Sequence, residues 1–173
     1  PDVHLLRREL GFPGMKVLQF AFDGDPKNAY LPHTFDNTSV VFTGTHDNDT
    51  TLGWFHNDLG WDAQERVRAY LGRDGSDIAW DLIRLGFSSV ADLAIVPLQD
   101  VLRLGSDARM NVPGAPMGNW SWRFTEHQLD AGHAAGIRQF AALYDRIPSA
   151  SRTQGFDPFD YTAPGTAHPL HQE

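Results

Sequence analysis

The sequence has no cysteine, less positive than negative charge and no long apolar run, and each shortage excludes a class of protein. Without cysteine there is no disulfide framework and no thiolate nucleophile. The formal net charge of -8 argues against nucleic-acid or anionic membrane partners, because both require a basic face. No apolar run approaches the roughly 20 residues that span a bilayer. We therefore expect a cytoplasmic protein with no nucleic-acid and no membrane partner.

The N-terminus lacks the basic and apolar regions of a secretory signal, and it has no initiator methionine. Instead, Val3, Leu6 and Leu10 share one helical face, and Gly11 predicts the end of that helix. This pattern is typical of a helix already under way at residue 1. We therefore expect the 173 residues to be part of a longer protein.

Cofactor and nucleophile motifs are also absent from the sequence. There is no P-loop, no GxGxxG and no serine in a recognisable nucleophile context. His127 and His133 are six residues apart, which puts them on different faces of a helix and argues against a metal pair. We expect neither a cofactor nor a metal, and the oligomeric state is left open.

What the sequence does contain is a series of short apolar runs separated by segments of helical periodicity. The apolar runs cover residues 15–20, 39–43 and 93–96. Helices are predicted over 62–71, with an Asp62–Glu65 capping box, over 77–85, ending at Gly86, and after Thr125, with a second capping box to Gln128.

Apolar strands that alternate with helices predict an α/β fold with a parallel sheet covered on both faces. Three strands do not close a sheet, so the sheet is either small and open or the last part of a barrel. We expect one domain over residues 1–147. A loosely structured tail is expected over 148–173, where Pro, Gly, Asp and His are frequent.

The loop after the second strand is the main candidate for chemistry, in the segment VVFTGTHDNDTTLGW of residues 40–54. In a β/α barrel such a loop faces the active site, where Asp47 could stabilise positive charge or bind hydroxyls beside His46. Alternatively, Asp47 or Asp49 caps a helix that starts near Thr50. A calcium loop of the EF-hand type is a further alternative, but its sixth position is Leu52 rather than glycine.

Other candidates have structural alternatives of equal or greater weight. Phe20, Phe22 and Trp54 could stack on sugar rings or belong to the core. Asp23 and Asp25 could simply shape a turn. The tryptophans at positions 120 and 122 could place one ring in a cleft and one in the core.

Five segments nevertheless occur together in order, and together they are specific. They are GFPGMKVLQFAFDGD, YLPH, VVFTGTHDNDTTLGW, PLQDVLRLGSDARMNVPG and GNWSWR. This series resembles the C-terminal part of the 4-α-glucanotransferases, or amylomaltases, of glycoside hydrolase family 77. The resemblance runs from about Leu10 to Arg123. One departure follows YLPH, where the family usually has Asn and an aromatic residue and this chain has Thr34 and Phe35.

The resemblance implies a (β/α)8 barrel of the α-amylase superfamily, with this chain supplying about strands six to eight. It implies transfer of an α-1,4-glucan segment to the 4-hydroxyl of an acceptor sugar by a retaining double displacement, with maltooligosaccharides and α-1,4-glucans as partners. Asp47 would be the transition-state stabiliser, and His46 would bind sugar hydroxyls. Asn111 would lie near the acceptor, and Phe20 and Asp25 on the donor side.

The residues that match the family's nucleophile and its general acid/base would both precede residue 1. The isolated chain is therefore expected to be inactive. Two competing functions stay open: a glucan-binding fragment without turnover, and an α-amylase-type hydrolase that passes the sugar to water.

Overall fold

A computed structural model describes residues 2–147, and the tail expected over 148–173 lies outside these residues. The strands are β1 (Gly14–Val17), β2 (Ser39–Phe42) and β3 (Leu93–Ile95). The helices are α1 (Asp2–Glu9), α2 (Thr51–Gly53), α3 (Trp61–Leu71), α4 (Ile78–Ser88), α5 (Leu98–Val101) and α6 (Ala131–Leu143). None of the helices in the described part is long and apolar enough to cross a membrane.

The chain divides into two compact units, Pro1–Phe124 and Thr125–Glu173. This boundary lies inside the domain expected over residues 1–147. The first unit contains all three strands and helices α1 to α5, and the second contains α6. The domain limit near residue 147 stays a prediction.

The three strands form one parallel sheet in the order β1-β2-β3, which confirms the predicted α/β fold. Val17 is opposite Phe42, and Phe42 is opposite Ile95, so all three strands end at the same level. β1 is shorter than predicted, because a 3-10 turn begins at Leu18 and runs to Phe20. The loops that leave the strands therefore start side by side.

One face of the sheet is packed against helices. Val41 is 1% exposed and joins Leu18, Leu82 and Val67 in the core. Gly86 lies inside α4 rather than after it, so the predicted helix end is wrong. A Cβ at this position would lie 3.7 Å from Val41 Cγ1, which means that α4 packs directly on β2 here.

The opposite face of the sheet is only partly covered, because Val17 on this face is 2% exposed whereas other side chains there are open. The register places Met15 and Leu93 on this face, and Ile95, two residues after Leu93 in β3, is on the same face. These side chains are 57%, 51% and 43% exposed, respectively. The expected full cover on both faces is therefore wrong for the described residues, and part of an apolar sheet face remains open.

The helix ends agree with the sequence at some positions and not at others. Gly11, with a φ of +70°, ends α1 as predicted, and Gly72, with a φ of +61°, ends α3. The Asp62–Glu65 capping box is wrong, because α3 begins after Gly60 and Glu65 accepts a hydrogen bond from Arg68 instead.

The second predicted capping box, between Thr125 and Gln128, is present. It opens only a 3-10 turn, Glu126–Gln128, rather than the long helix expected there. α6 begins later, after Asp130, whose carboxylate accepts a hydrogen bond from the backbone N–H of His133 at 2.9 Å.

Candidate active site

A cleft of about 780 Å³ lies at the carboxyl-terminal ends of the three strands. Its floor includes side chains of the open sheet face, and its walls come from the segments that follow β1, β2 and β3. The lining includes Met15, Val17, Phe20, Phe42, Gly44 to Thr50, Ile95, Val96, Pro97, Gln99, Arg109, Met110, Pro113 and Trp120. The loop singled out in the sequence thus forms one wall of this cleft.

Asp47 presents its carboxylate in this wall and is held by two neighbours. Asn111 Nδ2 donates a hydrogen bond of 2.6 Å to Asp47 Oδ1, and His46 Nε2 lies 3.2 Å from the same oxygen. The side chain is 52% exposed, so solvent or a ligand can reach it. Among residues 2–147, the hydrogen bonds given to this carboxylate go to Oδ1, which leaves Oδ2 for a ligand hydroxyl.

The helix-capping alternative fails for both carboxylates. Thr50 is the N-cap of α2, and its Oγ1 accepts from the backbone N–H of Gly53 at 3.0 Å. Asp49 is 8% exposed, and its carboxylate accepts from Thr50 N and from the Ser106 hydroxyl. Asp47 makes neither contact, so its carboxylate has no capping role.

The backbone of the loop is fixed by three donors from two other segments. Asn111 N donates to His46 O at 3.1 Å, and Arg109 Nη2 donates to Asp47 O at 2.7 Å. Gln19 Nε2, from the turn after β1, donates to the buried Asp49 O at 3.0 Å. A loop held at successive carbonyls presents its side chains in one defined orientation, as a preorganised site requires.

A calcium site does not form from this loop. Asn48 turns inward, where its Oδ1 accepts hydrogen bonds from both the backbone N–H and the hydroxyl of Thr45. Asp49 is occupied as described above. Within residues 2–147, no group of three or more His, Cys, Asp or Glu side chains is arranged to hold a metal ion.

Trp120 lines the cleft beside His46. Its ring centroid is 5.1 Å from that of His46, and 54% of the residue is exposed. Its backbone has a φ of +60°, in the left-handed region that a bulky residue rarely adopts. Strain of this kind costs about 1–3 kcal/mol and is concentrated at functional sites. Trp122 stacks on Phe124 and is only half-buried, so the expectation of one ring in the core is wrong.

The 4-alpha-glucanotransferase model of glycoside hydrolase family 77 matches residues 1–129. The chain belongs to this family. A 4-alpha-glucanotransferase from Synechocystis is 54% identical over 151 residues, covering 84% of this chain and 29% of the relative. One from Thermus thermophilus is 47% identical over 155 residues, covering 85% of this chain and 31% of that relative.

A solved amylomaltase from Streptococcus agalactiae, in complex with acarbose, superimposes on this family member with a TM-score of 0.81. The two sequences are 30% identical, and the aligned region covers 85% of this chain and 30% of the amylomaltase chain. The chain thus spans about three tenths of the length of the relatives that it matches.

Of the two donor-side positions that the resemblance implied, Phe20 lines the cleft and Asp25 does not. Phe20 is half-exposed and lines the cleft, with its ring edge-on to Tyr30. Asp25 is not among the lining residues, and its carboxylate accepts from Lys27 N at 2.9 Å. The carboxylates of Asp23 and Asp25 each accept a hydrogen bond from a backbone N–H two residues ahead, as expected for residues that shape a turn. A hydrogen bond from the backbone of Asp25 is the main cause that lowers the pKa of Asp23.

Phe22 and Trp54 are both 7% exposed and belong to the core, as their structural alternative predicted. Sequence reasoning missed the residues that hold the loop. Arg109, Ser106 and Gln19 reach it from distant segments, and no local periodicity marks such contacts. The family segments do contain all three, but a matching segment does not show which partner a side chain binds.

Proposed function

We propose that this chain is the C-terminal part of the catalytic barrel of a 4-α-glucanotransferase, supplying about strands six to eight. Asp47 is its catalytic carboxylate. One observation carries the proposal: an exposed carboxylate stands at the end of a parallel strand, in a cleft, and is held by Asn111 and His46.

The open sheet face supports the assignment to a barrel. In a (β/α)8 barrel the outer face of the sheet packs on helices, and inward side chains fill the interior in layers. Here Val41 packs on helices, whereas Met15 and Ile95 remain exposed on the other face. β1 and β3 pair only with β2 within the described residues. Further parallel strands would pair with both edges and cover this face.

The chemistry gives Asp47 a definite task. Cleavage of a glycosidic bond passes through an oxocarbenium-like transition state, in which hydrogen bonds to ring hydroxyls strengthen. A fixed carboxylate that accepts such bonds stabilises the flattened ring and its positive charge. One preorganised interaction of this kind is worth about 10²–10³ in rate. Asn111 prevents the Asp47 side chain from rotating away while leaving Oδ2 available.

The rest of the cleft supports the binding of a sugar. His46 can donate to a sugar hydroxyl next to Asp47, and the half-exposed rings of Phe20 and Trp120 offer apolar surfaces for sugar faces. The substrate class, an α-1,4-glucan or maltooligosaccharide, is taken from the family to which the chain belongs. Donor-side binding by Asp25 depends on the family resemblance alone, and the cytoplasmic location stays a prediction.

A second function, glucan binding without turnover, is favoured for the isolated chain by the carboxylates of the cleft. Retaining chemistry needs a nucleophile and an acid about 5–5.5 Å apart. The carboxylates among the lining residues are Asp47 and Asp49, and both oxygens of Asp49 are engaged with Thr50 and Ser106. The attacking carboxylate and the proton donor must therefore come from elsewhere in the complete transferase.

The experiment compares this chain with the complete transferase, using maltotriose as substrate. We expect the complete transferase to form glucose and longer oligosaccharides without a net gain of reducing ends, and the chain alone to form neither. A net gain of reducing ends would instead identify a hydrolase. Robust turnover by the chain alone would contradict the assignment of the missing carboxylates.

A further inference from the structure

The buried carboxylate of Asp100 joins the two ends of the loop that carries His46 and Asp47. Asp100 is 1% exposed and lies in α5, just after β3. The hydroxyl of Thr43, at the end of β2, donates to Asp100 Oδ2 at 2.5 Å. Thr51, at the start of α2, donates through its backbone N–H to Oδ1 at 2.7 Å and through its hydroxyl to Oδ2 at 2.8 Å.

These contacts close a short loop at its base. Residues 44–50 leave the sheet after Thr43 and return to α2 at Thr51, and both flanking threonines are at most 1% exposed. One rigid group thus sets the separation of the two ends. The donors described above act further along the loop, at the carbonyls of His46, Asp47 and Asp49. Only Asp100 spans the loop from one end to the other among these partners.

Asp100 does not belong to the cleft itself. It is not among the lining residues, and both of its oxygens accept hydrogen bonds from the threonines. Burial raises the pKa of its carboxyl, against the opposing effect of the Thr43 and Thr51 donors. A buried carboxylate is costly unless its hydrogen bonds are made, so its presence here indicates a need for this connection.

We propose that Asp100 is the positioning residue of the active-site loop, acting through Thr43 and Thr51 to hold Asp47 where it meets the substrate. The inference rests on the proposed function, because it assigns a role toward the same reaction. The structural part of the inference does not depend on that function. It requires only that the conformation of the loop depends on the hydrogen bonds to Asp100.

The test replaces Asp100 in the complete transferase and measures both loop conformation and turnover. Asp100→Ala removes every acceptor. Asp100→Asn keeps one acceptor for Thr51 N–H and offers an amide that donates to the threonine hydroxyls, so it is the conservative rescue. Val67→Ala is the matched control, because it truncates a fully buried core side chain on α3 and leaves all loop hydrogen bonds in place.

We expect Asp100→Ala to speed amide hydrogen exchange within residues 44–50 at least about tenfold beyond the change in Val67→Ala. We expect kcat on maltotriose to fall about 10- to 100-fold with KM changed less than about threefold, the scale found for displaced catalytic groups. Asp100→Asn should return both measurements to within about threefold of the wild type.

Loop exchange in Asp100→Ala equal to that in Val67→Ala would overturn the proposal, whatever the activity. Equal loss of kcat in the Ala and Asn variants would also overturn it. If Asp100→Ala does not fold, Thr43→Val and Thr51→Val decide. Faster loop exchange together with lower kcat in at least one of them supports the role, and any other result refutes it. A wild-type protein that fails to transfer glucan contradicts the proposed function, while the exchange comparison still decides the role of Asp100.

Discussion

Gly53, in α2, lies close to Ser106 in the segment after α5, and adding one methyl group there should destabilise the protein. Its φ of -62° is ordinary for a helix, so backbone conformation does not require glycine. The space does. A Cβ at this position would lie 2.6 Å from Asp49 Oδ2 and closer still to Ser106 Oγ, the two atoms that share a hydrogen bond.

The expected magnitude follows from two opposing terms. In an open helix, replacing glycine with alanine stabilises by up to about 1 kcal/mol. Here the methyl group must displace the Ser106 hydroxyl from Asp49, and a hydrogen bond to a charged group contributes about 1.5–3 kcal/mol. Gly53→Ala should therefore lower the free energy of unfolding by about 0.5–2 kcal/mol.

The assay is urea unfolding followed by tryptophan fluorescence, with Gly86→Ala as the matched control. Gly86 is also helical, but its Cβ would meet Val41 and Leu18 at 3.7 Å and 3.8 Å, which are ordinary contacts. We expect this control to gain stability from helix propensity. If Gly53→Ala were as stable as Gly86→Ala, the close approach between α2 and Ser106 would be wrong.

Two further changes test the cleft and the buried carboxylate. Asn tolerates a φ of +60°, so Trp120→Asn should preserve the urea midpoint but raise KM for maltotriose about 2- to 10-fold by removing a stacking surface; an unchanged KM would contradict that role. Burial raises the pKa of Asp100 above its ordinary value of 3.8, so the native state binds this proton more tightly than the unfolded state does. The free energy of unfolding therefore falls as pH rises from 3.8 to the raised pKa. The urea midpoint of Asp100→Asn relative to wild type should therefore increase across this range, and a constant difference would refute the pKa direction.

The sequence predicts the sheet well because its signal is local. Short apolar runs bounded by turn residues marked all three strands, and helices between them required a parallel arrangement. The shorter β1 could not be foreseen, since Leu18 is as apolar in a 3-10 turn as in a strand. The extension of α4 through Gly86 is likewise decided by close packing on β2, which overrides the low helix propensity of glycine.

The candidate site is predictable to the extent that its residues are neighbours in sequence. His46 and Asp47 were found because a polar loop follows a strand, and Asn111 because its segment resembles the family. The contacts that fix the loop were not found. Asp100 is 57 residues from Thr43, and Arg109 is 62 residues from Asp47. Such pairings depend on the fold and leave no periodic trace in the sequence.

The most direct test of the account is kcat at saturating maltotriose for the complete transferase carrying Asp47→Asn. Because Asn cannot accept hydrogen bonds as a charged group, the transition state loses more than the ground state, and kcat should fall at least about 100-fold while KM changes little. Asp74→Asn, which alters an exposed carboxylate bonded to Ser76 N, is the control and should keep normal kcat. A near-normal kcat for Asp47→Asn would contradict the assignment of Asp47 as a catalytic carboxylate.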